Sequence, residues 1–309
     1  MTPTPDRETD QGTFRCVVRD NLTEPLTRRR FLGVGAGAAV GGALLSACGG
    51  GDDTPVERAA EKWFADQTIV ADGSPQRTVW SLRDDEGNLA DLAPDTIEYL
   101  VLDPEGAEIA SGIANRHADG LALPYYPIVV PFGVVGPHEF RFTTENHGNH
   151  VGFASPGDLA TSTLLWPGDP FPSVVTPTVD NPAGVTQMCT RNPNCPFHDI
   201  SLDAAIGSGE PTILMVSTPA FCSTVTICGP VLELLIDAEA AGSLGANVIH
   251  AEVYADPQPD DLGDVAPIVA AAGVIYEPFL FHIDADGRVA QRLDHVWDRA
   301  ELAAFLDRV

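Results

Sequence analysis

The sequence predicts two folded units, an all-β sandwich followed by an α/β domain. Between residues 68 and 155, short alternating apolar segments are separated by turn signals, of which Asp-Pro-Glu-Gly at 103–106 is the strongest. From residue 201 the pattern changes. Residues 213–216 form a continuous apolar run, typical of a strand buried on both faces, and residues 229–240 carry apolar side chains at helical spacing.

The strands of the predicted sandwich fall at residues 78–82, 97–102, 128–132 and 139–144. Short strands at this spacing are typical of antiparallel sandwiches, and the segment resembles immunoglobulin-like modules in general shape. Before it, residues 48–67 are predicted as a Gly/Asp tether followed by a short helix, because apolar residues recur there at helical spacing. After it, residues 156–200 are rich in Pro, Gly, Ser and Thr and predict an extended connector.

The predicted α/β domain spans residues 201–309. Its helices are expected at 201–206, 229–240, 262–272 and 297–309, and its strands at 213–216, 247–255, 279–284 and 289–293. The last two strands are joined by Ala-Asp-Gly-Arg, which has the composition of a hairpin turn.

The first 47 residues are interpreted as an export signal. Arg28 and Arg29 precede an apolar pair, and residues 33–47 form an uncharged run that is short for a membrane-spanning helix. The run ends in Leu-Ser-Ala-Cys-Gly, which resembles the bacterial lipobox and implies a lipid on Cys48. We therefore expect export by the twin-arginine route and anchoring on the outer face of the cytoplasmic membrane. The alternative is an uncleaved N-terminal anchor with Cys48 incidental.

The charge balance excludes one class of partner. The chain has 17 Lys+Arg against 44 Asp+Glu, a formal net charge of −27, and Lys62 is its single lysine. A polyanion repels phosphate backbones, so nucleic-acid binding is excluded. The sequence predicts no cofactor.

Four cysteines remain once Cys16 leaves with the signal and Cys48 receives a lipid. Cys189 and Cys195 flank Asn-Pro-Asn, a turn-forming sequence that lets them face each other, so we expect a disulfide between them. Cys222 and Cys228 form a second expected disulfide if the segment between them is a loop, which Gly229-Pro230 favours. Four cysteines allow three connectivities, so other pairings stay open.

The order of elements after residue 201 resembles the thioredoxin-like superfamily. The residues that carry the resemblance are Ala220-Phe221-Cys222 after the strand at 213–216, and Glu277-Pro278-Phe279 before the strand at 279–284. The resemblance implies a thioredoxin-like fold, Cys222 as a nucleophilic thiol and Pro278 as a cis-proline beside it. The family spacing is Cys-x-x-Cys, whereas Val225 stands at the second position here and the next cysteine is Cys228.

The resemblance implies a thiol–disulfide oxidoreductase acting on the thiols or disulfides of exported proteins, with Cys228 as resolving partner. A non-catalytic binding module with structural disulfides is the first alternative, and a copper-handling protein is the second. For the copper alternative, His198, three residues after Cys195, is the best candidate ligand. His250 and His282 lie inside predicted strands, where a core or surface histidine is the commoner role.

Overall fold

The computed structural model describes residues 57–63, 68–83, 93–145, 148–221, 227–242, 244–258 and 261–309. The predicted export motif at Arg28 and Arg29, the lipidation site Cys48 and the predicted nucleophile Cys222 lie outside these ranges. Within them, no helix combines the length and the apolar composition that a membrane span requires.

Residues 57–154 form a single seven-stranded sheet. Its strands are β1 (Glu57–Lys62), β2 (Pro75–Leu82), β3 (Thr96–Leu102), β4 (Glu108–Asn115), β5 (Tyr126–Pro131), β6 (His138–Thr144) and β7 (Gly148–Ala154). They are hydrogen-bonded in the order β4-β3-β6-β7-β1-β2-β5, and β1 with β7 is the parallel pair. Edge strands β4 and β5 also contact each other. The sheet therefore nearly closes into a barrel, where the sequence predicted a sandwich of two sheets.

The interior of this barrel is built around aromatic side chains. Trp80, Phe140 and Phe142 are fully buried, and the Trp80 and Phe140 ring centroids lie 4.4 Å apart. Gly152 on β7 makes room for the Trp80 ring, because a Cβ at this position would overlap it. Such rings contribute much of the burial that stabilises a small β domain.

The predicted short helix before the barrel is wrong, because residues 57–62 form strand β1. Its sequence, Glu-Arg-Ala-Ala-Glu-Lys, has low strand propensity. Its backbone pairs on one side with β2 and on the other with β7, as in Ala60 opposite Leu82 and Ala59 opposite Val151. Ladder hydrogen bonds on both sides therefore outweigh the helical spacing of its alanines.

Residues 201–309 form a second, four-stranded sheet with four helices. Its elements are α1 (Leu202–Ile206), β8 (Thr212–Val216), α2 (Cys228–Ala241), β9 (Asn247–Ala251), α3 (Pro267–Ala272), β10 (Phe279–Ile283), β11 (Val289–Asp294) and α4 (Arg299–Leu306). The strand order is β11-β10-β8-β9, with β8 and β9 parallel and the other pairs antiparallel. Every residue of β8 and β10 is buried.

The predicted fold class, an α/β thioredoxin-like domain after an all-β sandwich, is wrong. The described chain is predominantly β, with two sheets and four short helices of five, fourteen, six and eight residues. The helix predicted at 262–272 shrinks to its last six residues, because Pro267 starts it and Gly273 in the left-handed region ends it. The order of short helices and strands after residue 201, together with Cys222 and Pro278, was not enough to specify a fold.

Candidate metal centre

Two cysteines and two histidines meet beside the four-stranded sheet. Cys189, Cys195 and His198 lie on the irregular connector that precedes α1, and His250 lies on β9. All four residues are buried, with exposures of 0%, 5%, 2% and 0%. One sulfur or nitrogen atom from each lies within 4.8 Å of the corresponding atom of every other. We call these four residues the thiol–imidazole cluster.

The loop that carries the cysteines is held by acidic side chains on both flanks. The Glu252 carboxylate accepts hydrogen bonds from the backbone nitrogen of Thr190 at 2.6 Å and from its hydroxyl at 3.1 Å. The Arg191 guanidinium donates to Glu233 on α2 at 2.6 Å and to the Pro193 carbonyl at 2.6 Å. These contacts hold the loop, which has no helix or strand of its own, in position near both sulfurs.

The β9 strand presents the Nδ1 side of His250 to the two sulfurs. The His250 Nε2 atom lies 3.0 Å from the Ser217 carbonyl oxygen, which can only accept, so Nε2 carries a proton. The Nδ1 atom faces Cys189 Sγ at 3.7 Å and Cys195 Sγ at 3.5 Å. A metal-binding histidine commonly uses one nitrogen as ligand and donates the other N–H to a carbonyl, as this geometry allows.

The second histidine approaches from the loop itself. The His198 Nε2 atom lies 3.3 Å from Cys195 Sγ. Its Nδ1 atom is buried and has no hydrogen-bond partner among the residues that the structure describes. His198 is therefore less firmly oriented than His250, although the two rings are in edge-to-face contact with centroids 5.5 Å apart.

The distances match those expected around a tetrahedral ion. With metal–sulfur bonds of about 2.3 Å and metal–nitrogen bonds of about 2.0–2.1 Å, neighbouring ligand atoms lie about 3.3–3.8 Å apart. The three sulfur–nitrogen distances given above, 3.3, 3.5 and 3.7 Å, all fall in this range. These three distances, together with the 4.8 Å limit on the remaining pairs, are compatible with four ligands of one tetrahedral ion such as zinc.

The electrostatics of the cluster favour a thiolate. Hydrogen bonding from Cys195, then from His198 and His250, holds the pKa of the Cys189 thiol far below its ordinary value. The pKa of Cys195 is raised because it keeps the proton of that hydrogen bond and is buried. The backbone nitrogen of Cys195 also points at Cys189 Sγ at 3.5 Å. Thiolate is the form of cysteine that binds metals.

The structure revises the predicted cysteine pairing. Cys189 and Cys195 are free cysteines in the structure, in place of the expected disulfide, because their sulfurs are separated and hydrogen-bonded to histidine. Cys228, the first residue of α2, is disulfide-bonded and fully buried. Its predicted partner Cys222 lies outside the described residues, so the Cys222–Cys228 pairing stays a prediction.

Two further predicted site residues, Pro278 and His198, lie within the described part of the chain. Pro278 follows a cis peptide bond after Glu277 and precedes β10. His198, the candidate ligand of the copper alternative, lies in the thiol–imidazole cluster. Sequence reasoning missed His250 as a ligand, because 55 residues separate it from Cys195 and its strand position indicated a core residue. The Cys-x5-Cys-x2-His spacing could have indicated a metal site, but it supplies three ligands and does not identify the fourth.

A second group of potential ligands lies between the two sheets. His117, Asp298 and Glu301 each offer an atom within 4.8 Å of the others, and we call them the carboxylate cluster. The Arg77 guanidinium donates to both oxygens of Glu301, at 2.8 and 2.6 Å. The Tyr125 hydroxyl donates to the same carboxylate, and His117 Nδ1 lies 3.0 Å from Asp298.

No model of a known protein family matches the chain, and no curated protein matches it. Among solved structures it is similar to the crystal structure of the Lin-41 filamin domain, at 12% sequence identity and a TM-score of 0.21. The match covers 30% of this chain and 85% of that one. The neighbour is a filamin domain and not a thioredoxin-like protein. A TM-score this low supports no statement about function.

Proposed function

We propose that this chain is a zinc-binding protein in which the thiol–imidazole cluster holds one ion in a closed structural centre. The observation that carries the proposal is the convergence of four buried ligand atoms within 4.8 Å. Two thiolates with two imidazoles in tetrahedral arrangement are a ligand set typical of zinc. Two thiolates also neutralise the charge of a divalent ion, which lowers the free-energy cost of burying it.

Zinc is favoured over the copper alternative by the closed form of the site. Soft thiolate ligands also suit Cu(I), but a protein that delivers copper needs a ligand position open to its partner. Here all four residues are at most 5% exposed, and four protein ligands complete a tetrahedron. A closed four-coordinate site serves folding, since the binding free energy of a structural zinc ion contributes directly to stability.

The ion would join the loop to the edge of the sheet. Three of its ligands, Cys189, Cys195 and His198, come from the connector, and His250 comes from β9. The backbone nitrogen of His250 already donates to the carbonyl of Phe197 at 3.0 Å. A bound ion would therefore fasten a loop that lacks a helix or strand of its own to the strand that it covers.

The test is metal analysis of the full-length chain, purified under reducing conditions in detergent. We expect one zinc per chain by elemental mass spectrometry, and loss of that zinc in Cys195→Ser. His117→Ala, which alters the carboxylate cluster, serves as the matched control and should retain the full amount. A wild-type chain without zinc after incubation with zinc, or a Cys195→Ser chain that keeps it, would contradict the proposal.

The two histidines should differ in their contribution. Losing a group that merely orients a ligand costs about 10–100-fold in affinity, so His250→Ala should cost more than about 100-fold. His198→Ala should cost less, because its second ring nitrogen has no partner that orients it among the described residues. Competition with a chromogenic chelator measures both. Equal losses of zinc affinity in the two variants would show that the Ser217 contact does not strengthen metal binding by His250.

Export and anchoring are part of the proposal and rest on the sequence. The arginine pair at Arg28 and Arg29 and the lipobox cysteine Cys48 support anchoring of the mature chain on the outer face of the cytoplasmic membrane. Its acidity argues against nucleic-acid partners. Thiol–disulfide exchange at Cys222 stays a prediction with less support, since Cys228 is fully buried and its disulfide therefore offers little access to a substrate.

A further inference from the structure

The two sulfurs of the thiol–imidazole cluster can join without unfolding any helix or strand. Cys189 and Cys195 lie on one irregular loop, and their sulfurs are within 4.8 Å of each other. The loop already folds back on itself, as the hydrogen bond from the Cys195 backbone nitrogen to Cys189 Sγ shows. Closing a disulfide of about 2.05 Å therefore requires movement within this loop alone.

The anchors of the loop do not depend on the sulfurs. Thr190 is held by Glu252, and Arg191 by Glu233 and the Pro193 carbonyl. Gln187 is held through its backbone nitrogen by Asp256 at 2.9 Å. These hydrogen bonds keep the loop in place whether the sulfurs are bound to a metal, protonated or joined.

A metal and a disulfide exclude each other at this site. A thiolate binds a metal through the electron pairs that its negative charge makes available, and a disulfide sulfur carries no such charge. After oxidation, two neutral histidines would remain as ligands, which is too few for a closed zinc site.

On the basis of the proposed zinc centre, we propose that Cys189 and Cys195 form a redox-labile clamp, which a peroxide converts to a disulfide with release of the metal. With the metal bound, both cysteines are thiolates. The Cys195 thiolate, 5% exposed against 0% for Cys189, attacks a peroxide oxygen and breaks the O–O bond. It becomes a sulfenic acid, and the departing hydroxide takes up a proton. The Cys189 thiolate then attacks this sulfur, forms the S–S bond and expels a second hydroxide, which also becomes water.

The reaction balances with one peroxide as oxidant. The two thiolates lose two electrons, hydrogen peroxide and two protons become two waters, and zinc leaves as a dication. The disulfide that the sequence predicts at these positions is then the oxidised state of a site that the structure shows reduced. A dithiol reductant would return the thiolates and allow the metal to bind again.

The sequence offers a direct assay for the bridge. Arg191 lies between the two cysteines, so trypsin cuts the chain between them. The peptide 142–191 contains Cys189 as its single cysteine, and the peptide 192–288 contains Cys195. After thiols are alkylated under non-reducing conditions, the two peptides stay joined when Cys189 is in a disulfide, and fragmentation of the pair identifies Cys195 as its partner.

The experiment treats the zinc-loaded full-length chain with hydrogen peroxide and follows zinc release with a chromogenic chelator. We expect release of all bound zinc, in step with the joined peptides, and rebinding after a dithiol is added. Cys195→Asp keeps a possible oxygen ligand but has no thiol pair. Any zinc that it binds should stay bound in peroxide.

The outcomes separate the two proposals. A reduced chain that binds no zinc overturns both. The redox clamp is overturned, and the zinc centre is supported, if the chain binds zinc and keeps it in peroxide. The same holds if zinc is released without the Cys189–Cys195 bridge. Release from Cys195→Asp at the wild-type rate also overturns the clamp, because the metal would then leave without thiol oxidation.

Discussion

The thiol–imidazole cluster and the carboxylate cluster bring potential ligands equally close, yet they differ in what already neutralises them. In the carboxylate cluster, the Glu301 oxygens face the Arg77 guanidinium, and Asp298 accepts from His117 and from the Glu301 backbone nitrogen. A cationic side chain thus occupies the place that a metal would take. The sulfurs of the thiol–imidazole cluster have no arginine or lysine among their hydrogen-bond partners in the described ranges.

Proximity of ligand atoms is therefore not enough to identify a metal site. A buried acid that is already paired with arginine gains little from a metal, since the ion would have to replace a well-made ion pair. The cation near the two sulfurs is Arg191, but its guanidinium is already paired with Glu233, so a metal ion would not have to displace an ion pair made by the sulfurs. The carboxylate cluster is therefore a structural contact that joins the barrel to the four-stranded sheet.

Substitution of Arg77 in this structural contact should cost the most stability. Arg77→Ala should destabilise the chain by about 3–5 kcal/mol, because it leaves the Glu301 carboxylate, whose side chain is 15% exposed, without its cation. It also removes hydrogen bonds to the Asp294 and Val296 carbonyls, at 3.0 and 2.7 Å. Urea unfolding measures the change.

An exposed ion pair of the barrel supplies the control for Arg77→Ala. Arg141 and Glu139 are 2.6 Å apart and 52% and 30% exposed, so Arg141→Ala should cost under about 1 kcal/mol. If both variants lost the same stability, the claim that Arg77 holds the two sheets together would be wrong.

A smaller effect is expected next to the thiol–imidazole cluster. Burial raises the pKa of Glu277 to about 8, with Glu252 adding repulsion. The unfolded chain ionises Glu277 from about pH 4.5, whereas the folded chain keeps the proton to about pH 8, so stability falls across this window. Glu277→Gln cannot ionise. It should match the wild type below about pH 4.5 and exceed it by roughly 1–3 kcal/mol at pH 8.

Urea unfolding at both pH values tests the Glu277 prediction. The backbone hydrogen bond from Thr218 to this side chain can persist with an amide oxygen, so the substitution removes the charge and keeps the acceptor. A variant that is less stable than the wild type at pH 8 would show that Glu277 is ionised and paired in the folded chain.

The smallest effect concerns His117. Its hydrogen bond to Asp298 raises the pKa of His117 above 6.5. The resulting stabilisation is complete below about pH 6.5 and is lost as the pH rises through the raised value. We expect His117→Ala to cost under about 1 kcal/mol near pH 5.5, with a smaller cost near pH 9. A cost that does not change with pH would mean that packing, and not charge, is what His117 contributes.

Sequence patterns located most of the buried strands but not the way in which they assemble. The apolar run at 213–216 is β8, and the predicted strands at 97–102 and 139–144 overlap β3 and β6. β4 and β7 were missed because Glu-Ile-Ala-Ser-Gly-Ile-Ala-Asn and Gly-Asn-His-Val-Gly-Phe-Ala are poor in the β-branched and aromatic residues that mark strands. Closure of the barrel depends on β1, which is a strand because it pairs with β2 and β7 on its two sides.

The candidate site was predictable only in part, for a related reason. Local spacing brought Cys189, Cys195 and His198 together, since turn-forming residues separate them. His250 completes the cluster through the parallel pairing of β9 with β8, a long-range contact that no local pattern encodes. A disulfide was predicted where the structure has free thiols, because the spacing of Cys189 and Cys195 does not distinguish the two states.

The loop that carries three of the four ligands also shields a sheet edge. β9 is the outermost strand beside β8, and the hydrogen bond from its His250 backbone nitrogen to Phe197 occupies a donor that would otherwise face outward. An uncovered edge strand is a template on which another chain can add a strand. By covering the β9 edge, the loop therefore leaves one strand edge less open to pairing with a second chain, a protection against self-association that is separate from metal binding.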